Sequence, residues 1–164
     1  MKLNEAFSLN GKVALITGAS KGIGEAIAQY FAASGAAVVI NSRKQEELDK
    51  VAASIVERGG ICTGIAGNAG DIEACKTLVN KTVELYGGID ILVNNAASNP
   101  VFGPVVTCEE WAFDKIMNVN VKAPFELGKL VYPIMKERGG GSVINISSIA
   151  GITPDPGLGL YSVS

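Results

Sequence analysis

A chain of 164 residues is long enough for one domain with a substantial core, and 48% hydrophobic against 18% charged residues excludes a disordered chain. A net charge of −2 without a basic cluster argues against nucleic-acid binding, and no apolar run approaches the ~20 residues of a membrane helix. Histidine is absent, which excludes a histidine base, a Ser-His-Asp triad and the usual zinc sites; no metal is expected, and proton chemistry falls to Tyr, Lys, Ser, Asp or Glu.

The start, Met1 to Leu9, carries Asn4, Glu5 and Ser8 and lacks the apolar stretch of a signal peptide, so a cytoplasmic protein is expected. Apolar runs of strand length follow at Val13–Ile16, Ala37–Ile40, Ile61–Ala66, Ile89–Val93 and Val143–Ile146. Stretches of helical period lie between them. Ile23, Ala26, Ile27, Tyr30 and Phe31 form one stripe, and Leu48, Val51, Ala52, Ile55 and Val56 a second. Cys75, Leu78, Val79, Val83 and Tyr86 form a third, and Leu127, Leu130, Val131 and Ile134 a fourth. Glycines at 35, 59–60, 87–88 and 139–141 mark helix exits. Short continuous strands alternating with amphipathic helices predict right-handed βαβ crossovers, hence a doubly wound parallel α/β sheet in three layers and a single domain over residues 1–164. Cys62, Cys75 and Cys108 are widely spaced with no CxxC pair and read as reduced core thiols.

Ligands of such sheets sit beyond the carboxyl ends of the strands. The first strand runs into Thr17-Gly18-Ala19-Ser20-Lys21-Gly22-Ile23-Gly24 and then a helix. Gly18 permits a tight turn, Gly22 lets a pyrophosphate approach the backbone, and Gly24 lets the helix pack close to the strand. Free N–H groups and the positive end of the helix dipole favour phosphate. A glycine-rich turn without a ligand is the alternative. A dinucleotide site that takes NAD ends its second strand with an acid for the ribose 2′-hydroxyl. Here that place reads Asn41-Ser42-Arg43-Lys44. Arg43, with Lys21 beside it, suits a 2′-phosphate instead, so the expected cofactor is NADP(H).

These residues resemble the short-chain dehydrogenase/reductase family, of the NADP-dependent type that includes the 3-oxoacyl-carrier-protein reductases. Thr17 to Gly24 is similar to its TGxxxGIG loop, and Asn94-Asn95-Ala96-Ala97 to its NNAG segment. Asn120 falls at the family's active-site asparagine and Ser148 at its catalytic serine; Tyr161, thirteen positions later, falls at its catalytic tyrosine. The resemblance implies a Rossmann fold and hydride transfer between NADP(H) and a small carbonyl or alcohol. Tyr161 would then act as the acid–base, and Gly18, Ser20, Lys21, Gly22, Ile23, Gly24, Ser42, Arg43, Asn68, Asn94, Ala96 and Tyr161 would lie at the cofactor. It also implies a homo-oligomer, dimer or tetramer. The loops Ala97–Val106 and Ile149–Leu160 are expected to line a substrate pocket made apolar by Phe102, Ile152, Pro154 and Leu158.

Ala97 replaces the last glycine of NNAG, and Asn68 stands where the family often has an aspartate against adenine. The family motif Tyr-x-x-x-Lys is interrupted, because the chain stops at Tyr161-Ser162-Val163-Ser164. A phenol ordinarily titrates near ~10, and a cation ~4 Å away lowers that by about three units at an effective dielectric of ~20. The expectation is therefore a truncated member, lacking the family's last strands and helices, with little hydride transfer by itself. The alternative is a short chain that binds NADP(H) or a partner subunit and does no chemistry. Pro124 follows Asn120 at i+4 and has no N–H, so the helix carrying Asn120 is expected to kink and to leave the Asn120 carbonyl without its helical partner.

Overall fold

The computed structural model describes residues 7–164; the reading of Met1–Ala6 as free of a leader lies outside the described residues. The chain alternates strand and helix: β1 (Val13–Thr17), α1 (Gly22–Ala33), β2 (Ala37–Ser42), α2 (Gln45–Glu57), β3 (Ile61–Ala66), α3 (Ile72–Tyr86) and β4 (Ile91–Asn94). Then come α4 (Glu110–Met117), a π-helical turn (Asn118–Lys122), α5 (Ala123–Glu137) and β5 (Ser142–Asn145). All pairings are parallel, in the order β3-β2-β1-β4-β5. The order reverses direction between β1 and β4, which opens a crevice above their carboxyl ends.

The strands β1, β2 and β4 are buried on both faces, so their alternate side chains enter two cores, whereas β5 is exposed along its length. Ala14, Ile16, Val38 and Ile40 face α1 and α2, packing with Leu48, Val51 and Ile55. Leu15, Val39 and Leu92 face α3 and α5, packing with Leu78, Val79, Leu127 and Val131. Each fully buried Leu, Ile or Val contributes about 1.5–3 kcal/mol of transfer free energy, which holds the three layers together.

Three of the four predicted stripes pack on the sheet, but the first is rotated. The contact face of α1 is Gly24, Ala28 and Ala32, with Ile27 and Phe31 at its flanks, while Ile23 and Tyr30 are 64% and 75% exposed. Gly24 sets this: a Cβ there would lie 2.6 Å from the Gly18 carbonyl oxygen and 2.9 Å from Ala19 Cα, so α1 meets the sheet through its small residues. Cys62 and Cys75 sit in or against the core, where burial pushes their thiols up to about 12 and about 11. Cys108 is outside both core clusters, in the turn before α4, contrary to the expectation of a core thiol.

At the amino ends of the strands, the Asp90 carboxylate accepts the Val13 N–H at 2.8 Å and the Arg138 guanidinium at 2.9 and 3.1 Å. Burial alone pushes this carboxyl up, but Arg138, the Val13 N–H and Lys12 together hold it below its ordinary value. No helix among the described residues is long and apolar enough to cross a membrane.

Candidate cofactor and active site

The crevice between β1 and β4 is bridged by the Thr17 hydroxyl and the Asn95 amide. Thr17 Oγ1, at the end of β1, accepts the N–H groups of Asn95 and Ala96 at 3.1 Å each. In return Asn95 Nδ2 donates to the carbonyls of Thr17 and Gly18 at 3.1 and 3.0 Å. The glycine loop and the segment after β4 are thereby fastened to each other. Gly18 closes the contact: its φ is +66°, and a Cβ would lie 2.8 Å from Ala96 Cα. On the other side Ala19 N–H donates to the Asn41 carbonyl at 3.0 Å, and Ser42 Oγ meets Ser20 Oγ at 3.0 Å, tying the loop to β2.

Gly22, at φ +64°, has open space where a Cβ would stand, and no side chain caps the first turn of α1. The unsatisfied N–H groups there, next to a backbone that a ligand can approach closely, fit a pyrophosphate. Beside this turn is a cavity of about 340 Å³ walled by Gly18, Ser20, Lys21, Ser42, Arg43 and Asn68, with Ser98, Lys115 and Val119 across from them. Asn41 also lines it; its side chain donates to the carbonyls of Ile65 and Gly67, and its buried Oδ1 has no partner. Asn68 Oδ1 accepts the Gly70 N–H at 3.1 Å, so the free group of this amide is its NH₂. Gly22, Ile23 and Gly24 wall neither this cavity nor the next: Gly24 packs α1 onto the loop, and Ile23 is exposed on α1's first turn.

A second cavity, of about 450 Å³, shares Ala96 and Ala97 with the first. Asn94, Asn120, Ser148 and Tyr161 all line it, although they arrive from β4, the π turn, the loop after β5 and a 3₁₀ turn at Gly159–Val163. The Asn120 amide clamps one residue of the β4 loop, accepting the Ser98 N–H at 2.8 Å and donating to its carbonyl at 3.0 Å. Its NH₂ also donates to Ser164 Oγ at 2.9 Å. Asn94 Nδ2 donates to Asn145 Oδ1 at 2.8 Å, leaving a buried Asn94 Oδ1 without a partner. Ser148 Oγ accepts the Ala150 N–H at 3.2 Å, which leaves its own proton to donate into the cavity.

The predicted kink takes the form of a π turn. Ala123 N–H reaches back five residues to the Asn118 carbonyl, immediately before Pro124, which has no N–H to give the Asn120 carbonyl in an α-helical ladder. Tyr161 stands inside a 3₁₀ turn. The apolar pocket residues are also redistributed. Phe102 and Leu158 line a separate pocket with Trp111, the Phe102 ring covering Gly157, and Ile152 is 82% exposed. Thr17, Asn95, Asn41, Asn145 and Lys115 were not singled out from the sequence. Thr17 and Asn95 stand within the two quoted motifs, but a contact across 78 residues has no local signature.

A family model described as short chain dehydrogenase matches residues 12–164. Human dehydrogenase/reductase SDR family member 4 is 47% identical over 95% of this chain, which spans 56% of that relative. A metagenomic short-chain oxidoreductase solved with NADP has a TM-score of 0.88 and 37% identity, over 94% of this chain and 70% of its own. A 7α-hydroxysteroid dehydrogenase solved with NADH and 7-oxo glycochenodeoxycholic acid has a TM-score of 0.94 and 31% identity, over 100% of this chain and 64% of its own. With a glycine loop, a β4 segment and three converging side chains set on a parallel sheet, and with these matches over nearly its whole length, the chain belongs to the short-chain dehydrogenase family.

Proposed function

We propose that this chain forms the cofactor-binding and catalytic-centre portion of an NADP(H)-dependent oxidoreductase acting on a small carbonyl or alcohol. The observation that carries the reading is convergence: Asn120, Ser148 and Tyr161 wall one cavity that shares Ala96 and Ala97 with the cation-lined cavity at the glycine loop. When bound, a nicotinamide cofactor supplies hydride to a carbonyl carbon or takes it from an alcohol carbon. This chain's residues would handle the oxygen. In the direction of reduction, the Tyr161 phenol gives its proton to the nascent alkoxide and becomes phenolate, while the Ser148 hydroxyl donates a hydrogen bond to the same oxygen. In oxidation both steps run backwards. Asn120 acts through Ser98, holding the β4 loop that both cavities share.

The cofactor preference rests on this chain's own residues, since structures similar to it hold either NADP or NADH. Arg43 and Lys21 line the first cavity, and neither has an ion-pair partner among the described residues. A charge-assisted hydrogen bond contributes about 1.5–3 kcal/mol, so NADPH is expected to bind at least about tenfold more tightly than NADH. Fluorescence titration of both cofactors tests this. Arg43→Asp should erase or reverse the preference, and equal affinities in the parent chain would refute it.

A second reading is a chain that binds NADP(H) without turnover. Tight NADPH binding with no consumption of NADPH against a panel of ketones and aldehydes would select this reading. For the whole protein we propose a cytoplasmic location and a homo-oligomer, the oligomer supported by Phe125 and Tyr132, 63% and 64% exposed on α5.

A further inference from the structure

We propose that Lys115 is a ligand-contacting residue of the first cavity, gripping the adenylyl group of the cofactor from the wall opposite Arg43. The inference deepens the NADP(H) reading and rests on it. Lys115 projects from α4 one turn before Val119, and both side chains line the cavity. Val119 in turn reaches the loop after β3: a Cβ on Gly70 would lie 2.9 Å from Val119 Cγ2. Lys21 and Arg43 come from the ends of β1 and β2, so the cavity is bracketed by cations from two sides. No carboxylate lines it.

Three lysines elsewhere on the helices behave differently, while Lys81 and Lys136 share with Lys115 the lack of an ion pair among the described residues. Lys50, Lys76 and Lys129 each lie within 3.1 Å of a glutamate three residues earlier. Lys115 has Trp111, Ala112, Asn118 and Val119 at those spacings, none of them acidic. It is half-buried, and no ion pair to it occurs among the described residues. Three cations around one small cavity repel each other, and partial burial strengthens the repulsion. A ligand carrying phosphate on an adenosine relieves it. Because Lys115 stands on the Val119 wall and not at the end of β2, it holds the adenylyl group as such. Arg43 discriminates the 2′-phosphate.

The test is isothermal titration of 5′-AMP and 2′,5′-ADP into the parent chain, Lys115→Met, Lys115→Arg and Arg43→Asp, at low and high salt. Lys115→Met is expected to weaken both ligands about tenfold at low salt, the size of one charge-assisted hydrogen bond, with the loss shrinking as salt rises. Lys115→Arg should bind nearly as the parent does, and Arg43→Asp should collapse the ratio between the two ligands. Affinities of Lys115→Met within twofold of the parent, with an unchanged melting temperature, would overturn the assignment while leaving the NADP(H) reading intact. So would a loss indifferent to salt, which a repacked helix would give. If the parent binds neither ligand, the NADP(H) reading itself falls, and the assignment with it.

Discussion

Replacing Thr17 with valine isolates the bracket that joins the two halves of the site. The side chains are nearly the same size and Thr17 is 2% exposed, so no cavity opens and the change is confined to one hydroxyl. Two N–H groups, those of Asn95 and Ala96, lose their acceptor, together with a weak bond of 3.4 Å to the Val93 carbonyl. An orphaned buried donor costs about 1–3 kcal/mol. Asn95 and Ala96 are only half-buried, so water reaches them in part and the lower end of that range applies to each. The sum is about 2 kcal/mol, which at ~2–4 °C per kcal/mol for a chain of this size lowers the melting temperature by about 4–8 °C. The Ala96–Ala97 wall common to both cavities should loosen as well, so NADPH affinity should fall by more than the loss of stability explains. Calorimetry and fluorescence titration on Thr17→Val, with Thr17→Ser as the control that restores the acceptor, would measure both. A Thr17→Val chain that melts within 1 °C of the parent and binds NADPH equally well would show that the hydroxyl does not organise the site.

Gly22→Ala and Gly24→Ala should fail differently. A Cβ at Gly22 meets nothing, so that change costs about 1–2 kcal/mol of left-handed backbone strain and appears mainly as weaker NADPH binding. A Cβ at Gly24 collides with the Gly18 carbonyl and the Asn95 amide, so thermal melting should register it as the more destabilising of the two. Asp90 has a depressed pKa in the fold, so the stability it contributes is present above the unfolded-state value near ~3.9 and is lost as pH falls through the lower folded value. Melting temperatures measured from pH 6 to pH 2 should therefore drop less steeply below pH ~4 in Asp90→Asn, which is also expected to be less stable than the parent at neutral pH because Arg138 loses its partner. Alkylation followed by mass spectrometry at pH 8 should label Cys108 before Cys62 and Cys75, whose buried thiols are held at about 12 and about 11; labelling of Cys62 first would contradict the packing of β3.

The sheet was legible in the sequence because its signals are local. Strands of a parallel sheet are short apolar runs, and all five predicted runs overlap β1 to β5, with shifts of one or two residues at their ends. The helix exits at Gly35, Gly59, Gly87 and Gly139 were equally plain, since each takes a positive φ that other residues resist. Convergence of Asn120, Ser148 and Tyr161 on one cavity followed from the order of motifs in which the chain resembles its family, not from any property of the three residues themselves. Hydrophobic periodicity misjudged α1, because it weighs side chains and cannot see that Gly24, wedged under the Gly18 carbonyl, brings the helix axis close enough for Ala28 and Ala32 to make the contact. Pro124 announced a disturbance near Asn120, but whether the helix answered with a kink or a widened turn depended on what α4 and α5 pack against. Lys115, the Thr17–Asn95 bracket and the Asp90–Arg138 pair belonged to the tertiary structure alone. Each joins residues 48 or more apart or faces a cavity whose other walls lie in distant elements, and the free energy of such contacts exists only after the sheet has brought their partners together.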